Sequence, residues 1–302
     1  MLEAAKATYV ERFSPTPPSS SSATKGSCSR MRDRRVTIDD GTKVAYRVGG
    51  GDGGPDLVFV HGWCSNLTHW DQQLQHFAST HRVLAVDRRG HGRSDISSGG
   101  CTPVRHAHDL AAIVRKERLR DIVVVAHAGG GPTALVFADR NPHLVRGLVL
   151  IDSNISRRSK LGRPHSPERS ALGRLVDQLS GPEARPRFEA IYRGFFSAHA
   201  GAIAETAVHD AMKVPLPVAR ADLAGLAADS ESAARRCRRP VLWLTVEPAD
   251  TVRLRSIFTD LRFGVVVGSG HFPHLEVPAQ VNAMIERFLT EIADPAPAPA
   301  FE

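Results

Sequence analysis

The sequence predicts an α/β fold with a mostly parallel central sheet, and three observations point there. Short continuous apolar runs recur along the chain, helical patterns lie between them, and one long stretch interrupts the alternation. Apolar runs without polar alternation suit strands buried on both faces. Strands alternating with helices imply βαβ crossovers and therefore parallel pairing.

The elements follow in order. Residues 1–32 hold Ser19-Ser20-Ser21-Ser22 and several prolines but no apolar h-region. They read as a disordered leader, not a secretory peptide, with Met31 as an alternative start. A hairpin-like stretch runs from Arg35-Val36-Thr37-Ile38 through the Asp40-Gly41 turn to Val44-Ala45-Tyr46-Arg47. Buried strands are expected at Leu57-Val58-Phe59-Val60, Val83-Leu84-Ala85-Val86, Ile122-Val123-Val124-Val125, Leu148-Val149-Leu150-Ile151, Val241-Leu242-Trp243-Leu244 and Gly264-Val265-Val266-Val267. Helices are expected between them, for example from His106 to Leu119 and from Pro132 to Arg140. From 153 to 239 no such run occurs; Ala, Leu and Arg dominate, punctuated by Pro182 and Pro215-Leu216-Pro217. This stretch reads as a helical cap over a core made of 33–152 and 240–290, with 291–302 as a frayed tail. A cap of this kind excludes water and shapes specificity.

Composition narrows the function classes. With 302 residues, 42% hydrophobic and 24% charged, the chain resembles ordinary globular proteins and needs no disulfide or metal to hold its core. Cys28, Cys64, Cys101 and Cys237 are scattered without C-x-x-C spacing, which suits a reducing, cytoplasmic setting. The formal charge of +7 gathers in Arg157, Arg158, Lys160, Arg163 and in Arg235, Arg236, Arg238, Arg239. Without interleaved aromatics or a reader motif, these clusters read as a solvated basic surface and not as a nucleic-acid interface. They would exert at most a modest pull on anionic substrates. No stretch approaches the length of a transmembrane helix. The expected partner is a small-molecule substrate, with neither nucleic acid nor membrane. No P-loop, dinucleotide-binding turn or metal-ligand spacing is present, so no cofactor is implied.

Chemistry concentrates at four turns. His61-Gly62-Trp63 follows one buried strand, and Asp87-Arg88-Arg89-Gly90-His91-Gly92-Arg93-Ser94 follows the next. Ala126-His127-Ala128-Gly129-Gly130 joins a strand to a helix. Gly268-Ser269-Gly270-His271-Phe272-Pro273-His274-Leu275-Glu276 follows the last strand. In this order, on these elements, the four resemble the α/β-hydrolase superfamily over roughly residues 33 to 290.

That resemblance implies an α/β-hydrolase fold with the cap inserted late in the sheet. It also implies a role for each motif residue. Ala128 occupies the nucleophile position of a G-x-S-x-G elbow, with Gly130 at its last glycine and Ala126 in place of the first. The backbone N–H groups of Trp63 and Gly129 match the oxyanion donors, and His271 matches the general base. The acid that orients His271 is either Asp152, at the end of the earlier strand, or Asp250, past the later one, with Glu247 behind both. His61, Cys64, His127 and Phe272 neighbour these groups and are expected to bind substrate. His61, His91 and His127 are not assigned catalysis, because such histidines are structural in similar proteins. Cys64 and Ser65 sit on a different loop from the elbow and are poor replacements for the missing nucleophile.

A methyl group cannot attack a carbonyl, so the chain should not perform serine hydrolysis as it stands. Three functions remain open. The first is a hydrolase of esters, lactones or related acyl compounds in which an engineered Ser-to-Ala exchange has silenced the nucleophile. The second is a cofactor-independent His–Asp dyad enzyme. It resembles the dioxygenases of 3-hydroxy-4-oxoquinolines, with which it shares Gly62-Trp63-Cys64, Glu247-Pro248 and His271-Phe272-Pro273, or a dyad lyase or cyclase. There Asp152 would be the partner of His271. The third is a non-catalytic protein that binds a small molecule.

Overall fold

Eight strands form one sheet in the order β1-β2-β4-β3-β5-β6-β7-β8. They are β1 (Ser29–Thr37), β2 (Lys43–Gly50), β3 (Leu57–Val60), β4 (Arg82–Val86), β5 (Ile122–His127), β6 (Val145–Ile151), β7 (Val241–Thr245) and β8 (Leu261–Val265). The computed structural model describes residues 29–97, 100–155 and 171–293. Strand β2 pairs antiparallel with both β1 and β4, and every later neighbour is parallel. The six runs expected from apolar continuity all lie on strands of this sheet or run off the end of one. β3 and β5 are buried at every position, as central strands covered on both faces must be.

Two boundaries differ from expectation. The expected leader overlaps β1, which begins at Ser29: Met31 packs under Gly49, and Arg32 pairs with Val48. The last strand is Leu261–Val265 in place of the run from Gly264 to Val267. β8 is an edge strand that turns Leu261 and Phe263 to the core and leaves its other face half-open, so it alternates where a central strand would not. The remainder of the leader and most of the tail lie outside the described residues.

Helices fill both faces. A 3-10 turn (Leu67–Trp70) leads into α1 (Asp71–Phe77); α2 spans Pro103–Glu117 and α3 spans Gly130–Arg140. α2 starts three residues before His106 because Thr102 caps it, accepting from the Arg105 N–H, with Pro103 at the first helical position. The segment between β6 and β7, at the position expected for the cap and labelled so, holds α4 (Ala171–Gln178), α5 (Ala184–Arg193), α6 (Gly201–Met212), α7 (Leu216–Gly225) and α8 (Glu231–Arg236), with no strand among its described residues. After β7 come α9 (Thr251–Ile257), the short α10 (Pro273–Glu276) and α11 (Pro278–Ala293). One apolar cluster lies on each face of the sheet, and a third, built around Trp63, Phe188, Tyr192 and Phe272, joins cap to core. The catalytic-type turns all emerge at the carboxyl ends of β3, β5, β6 and beyond β8, under that third cluster.

Candidate active site

The elbow between β5 and α3 is built by close backbone approach. A side chain on Gly130 would sit 2.5 Å from the Val60 carbonyl oxygen, and one on Gly62 would sit 3.1 Å from the Ala128 methyl. Only glycine fits either place. Ala128 itself adopts φ 45°, in the left-handed region that L-residues avoid. The Ala128 N–H donates to the Ile151 carbonyl at 2.9 Å, and Ser153 Oγ donates to the Ala128 carbonyl at 2.8 Å. The turn is thus clamped from β6.

His271 Nδ1–H donates to Asp152 Oδ2 at 2.5 Å. With that proton committed, the free lone pair of His271 is on Nε2. Asp152 sits one residue past β6 at φ 43°, with its N–H on the Leu244 carbonyl at 2.7 Å. The His271 loop is tied to the cap: its own N–H donates to Phe195 O at 2.7 Å. Glu276 bridges the Gly270 and Ser197 N–H groups, each at 3.1 Å.

The other candidate acids are elsewhere. Asp250 caps α9, where its Oδ1 accepts the Arg253 N–H at 2.9 Å. Glu247 meets Thr245 Oγ1 through its backbone, its carbonyl accepting at 2.8 Å and its N–H donating at 3.3 Å. Neither touches His271.

The N–H groups of Trp63 and Gly129 have no partner among the described residues, and a Cβ on Gly129 would stand 3.5 Å from the Trp63 nitrogen. Two free donors converging beside the elbow are the arrangement that binds a developing oxyanion. Ala128, Gly129, Trp63, Asp152 and His271 line one cavity of about 280 Å³. Its walls are apolar, from Leu175, Phe195, Leu223, Leu226 and Phe272, with Ser153 and Asn154 as polar edges. No lysine or arginine lines it among the described residues.

Of the expected substrate-binding residues, His127 and Phe272 line this cavity and His61 and Cys64 do not. His61 is buried behind the oxyanion loop, accepting the Arg88 N–H on Nε2 at 2.9 Å and donating from Nδ1 to Gly62 O at 2.8 Å. Cys64 faces the cap cluster, and burial pushes its thiol well above the usual range, which suits packing and not nucleophilic attack. His127 donates from Nε2 to the His271 carbonyl at 2.7 Å; burial holds it neutral, well below the ordinary imidazole value. Ser153, Asn154, Phe195 and the cap leucines were not singled out from sequence. For Phe195 and the leucines the only signal is the apolar content of the cap, which does not say which residues turn inward, and Ser153 and Asn154 carry no signal of their own.

No cluster of His, Cys, Asp and Glu among the described residues is arranged to hold a metal. Arg235 and Arg236 are paired with Glu231 and Asp139, and Arg239 donates to the Pro142 carbonyl. The Arg157–Arg163 cluster lies outside the described residues. No described helix is long and apolar enough to cross a membrane.

Known proteins resemble the chain in the same terms. The alpha/beta hydrolase family pattern matches residues 57–284. A non-heme chloroperoxidase of Streptomyces lividans is 41% identical over 120 residues, 39% of this chain and 44% of that protein. A bifunctional esterase/perhydrolase of Acinetobacter calcoaceticus is 36% identical over 109 residues, 36% of this chain and 40% of that protein. Both matches span less than half the length of the curated relative. An esterase from Rhodococcus sp. ECU1013 superposes with a TM-score of 0.71 at 26% identity, covering 87% of this chain and 99% of that one.

Proposed function

Because the chain belongs to the alpha/beta hydrolase family, we propose that its cavity is an acyl-transfer site for a small ester, lactone or related acyl compound, disabled at Ala128. The observation that carries this reading is the elbow. Ala128 is held at φ 45° beside two N–H donors that have no partner among the described residues, a strained geometry that serves a nucleophile and gives a methyl group nothing. The His271–Asp152 pair supports it, since a base already oriented by a carboxylate is what a serine there would need. The cavity of about 280 Å³ and its apolar walls among the described residues suit a small substrate with an apolar acyl or alcohol portion. An exchange of serine for alanine, engineered or not, accounts for a site that lacks one atom and keeps the rest.

The test is restoration. Ala128→Ser should be labelled by a serine-directed phosphonate and should hydrolyse short activated esters at least about 10³-fold faster than the unaltered chain. If the serine variant is neither labelled nor active, the acyl-transfer reading fails.

A second reading has its own support. Asp152, not Asp250, partners His271, as a His–Asp dyad enzyme would require. Such an enzyme removes a proton from the substrate and needs no nucleophile. Oxygen uptake by the unaltered chain on hydroxylated N-heteroaromatics, lost in His271→Ala, would favour it over ester hydrolysis.

A further inference from the structure

The peptide that carries the Trp63 donor is held from behind. Its carbonyl belongs to Gly62, and in a trans peptide the C=O and the following N–H point in opposite directions. Gly62 O accepts from Arg88 Nη2 at 2.7 Å and from His61 Nδ1 at 2.8 Å. Fixing that oxygen aims the Trp63 N–H at the elbow. A charged donor on the carbonyl also polarises the amide and strengthens its N–H as a donor.

Arg88 is in turn held by the cap. Its guanidinium makes a fork to Asp222 on α7, with Nη1 to Oδ1 at 2.9 Å and Nη2 to Oδ2 at 2.8 Å. Both side chains are at most 2% exposed. His106 Nε2 lies 3.2 Å from Asp222 Oδ1. Trp63 is tied to the same helix, its indole donating to Ala219 O at 2.8 Å, and Leu223 of α7 lines the cavity. One helix therefore shapes the pocket and braces the oxyanion peptide.

We propose that Arg88 and Asp222 are positioning residues for the oxyanion donor, so that seating α7 of the cap on the core sets the catalytic competence of the acyl site. The proposal rests on the acyl-transfer reading, and its test separates the two. The pair is replaced by apolar groups of similar size, Arg88→Met with Asp222→Leu, because removing one partner alone would strand a buried charge and unfold the chain. In the Ala128→Ser background, kcat should fall roughly 10- to 100-fold with KM within about threefold, since misaiming one donor weakens transition-state binding alone. The rate of phosphonate labelling should fall in parallel, and Arg88→Lys, which keeps a cation for Gly62 O, should retain most of the turnover.

A second measurement uses the unaltered Ala128 chain and needs no activity. The Met/Leu pair should shift the Trp63 backbone amide resonance and speed its hydrogen exchange, while the Trp63 indole resonance, which reports contact with Ala219, stays in place. If that amide is unmoved, or if kcat of the double variant stays within about threefold of its parent, the positioning role is wrong. If the serine variant is inactive yet the amide moves, the positioning role stands and the acyl-transfer reading is what falls.

Discussion

Ala128 and Asp152 both occupy the left-handed region, at φ 45° and φ 43°, and both are one residue past the end of a parallel strand. Each such residue costs about 1–2 kcal/mol relative to ordinary backbone, so their pairing beside one cavity marks a site where geometry outranks stability. The two candidate acids make this concrete. Asp152 holds the imidazole through a bond of 2.5 Å, whereas Asp250 serves the first turn of α9. In the Ala128→Ser background, Asp152→Asn should lower kcat about 10³- to 10⁴-fold, because the amide no longer fixes the tautomer or steadies the imidazolium. Asp250→Ala should lose about 1 kcal/mol of stability with its cap and leave turnover unchanged. Steady-state kinetics beside thermal melts separate the two, and equal losses of kcat would undo the assignment. The sequence left this choice open for a physical reason. Asp152 and Asp250 follow neighbouring parallel strands, and only the lateral position of the His271 loop decides which carboxylate it meets.

At the scale of the element, the junction of β3, β5 and α3 is where packing leaves least freedom. A Cβ on Gly130 would meet the Val60 carbonyl oxygen at 2.5 Å and that of His61 at 2.7 Å, and neither backbone atom can yield without shifting β3. Gly130→Ala is therefore expected to destabilise by about 3 kcal/mol, the upper end of overpacking costs. Gly194→Ala is the control: it sits at φ −65° with its nearest new contacts at 3.4 Å, and should cost less than about 1 kcal/mol. Denaturant midpoints of both variants decide the matter; a Gly130 variant as stable as the parent would mean that the elbow can open around an approach of 2.5 Å. These elements were legible because burial on both faces writes itself as Val-Val-Val in β5 and because a sharp turn demands small residues at 128–131. β8 was shifted by three residues because an edge strand keeps only Leu261 and Phe263 against the core. The cavity walls stayed hidden: Phe195 and Leu223 are ordinary apolar residues of cap segments, and tertiary placement alone turns them inward.

The whole molecule carries an unusual load of buried imidazole. His61, His69, His91, His106, His127 and His274 are all buried, and burial lowers the pKa of each. For His69 and His91 it falls to about 4. The unfolded chain takes up a proton on each near pH 6.5, while the folded chain refuses it until about pH 4. Stability from these groups is thus fully present above pH 6.5 and is lost as pH falls from there to about 4. At roughly 1.4 kcal/mol per pH unit, each contributes up to about 3 kcal/mol. Carboxylates held below their usual range, such as Glu117 and Asp222, lose their stabilisation only under more acidic conditions, below their unfolded values. Asp56, Asp71 and Asp87, raised by burial, act in the opposite sense and offset part of the loss. The urea midpoint should accordingly fall steadily from pH 7 to pH 4.5, before any carboxylate of ordinary affinity is half-protonated. His69→Gln and His91→Gln should each flatten the slope, because the amide cannot take up the proton that the unfolded chain gains. A midpoint that stays level down to pH 4.5 would show that these imidazoles protonate without disturbing the fold, and that burial does not keep them neutral.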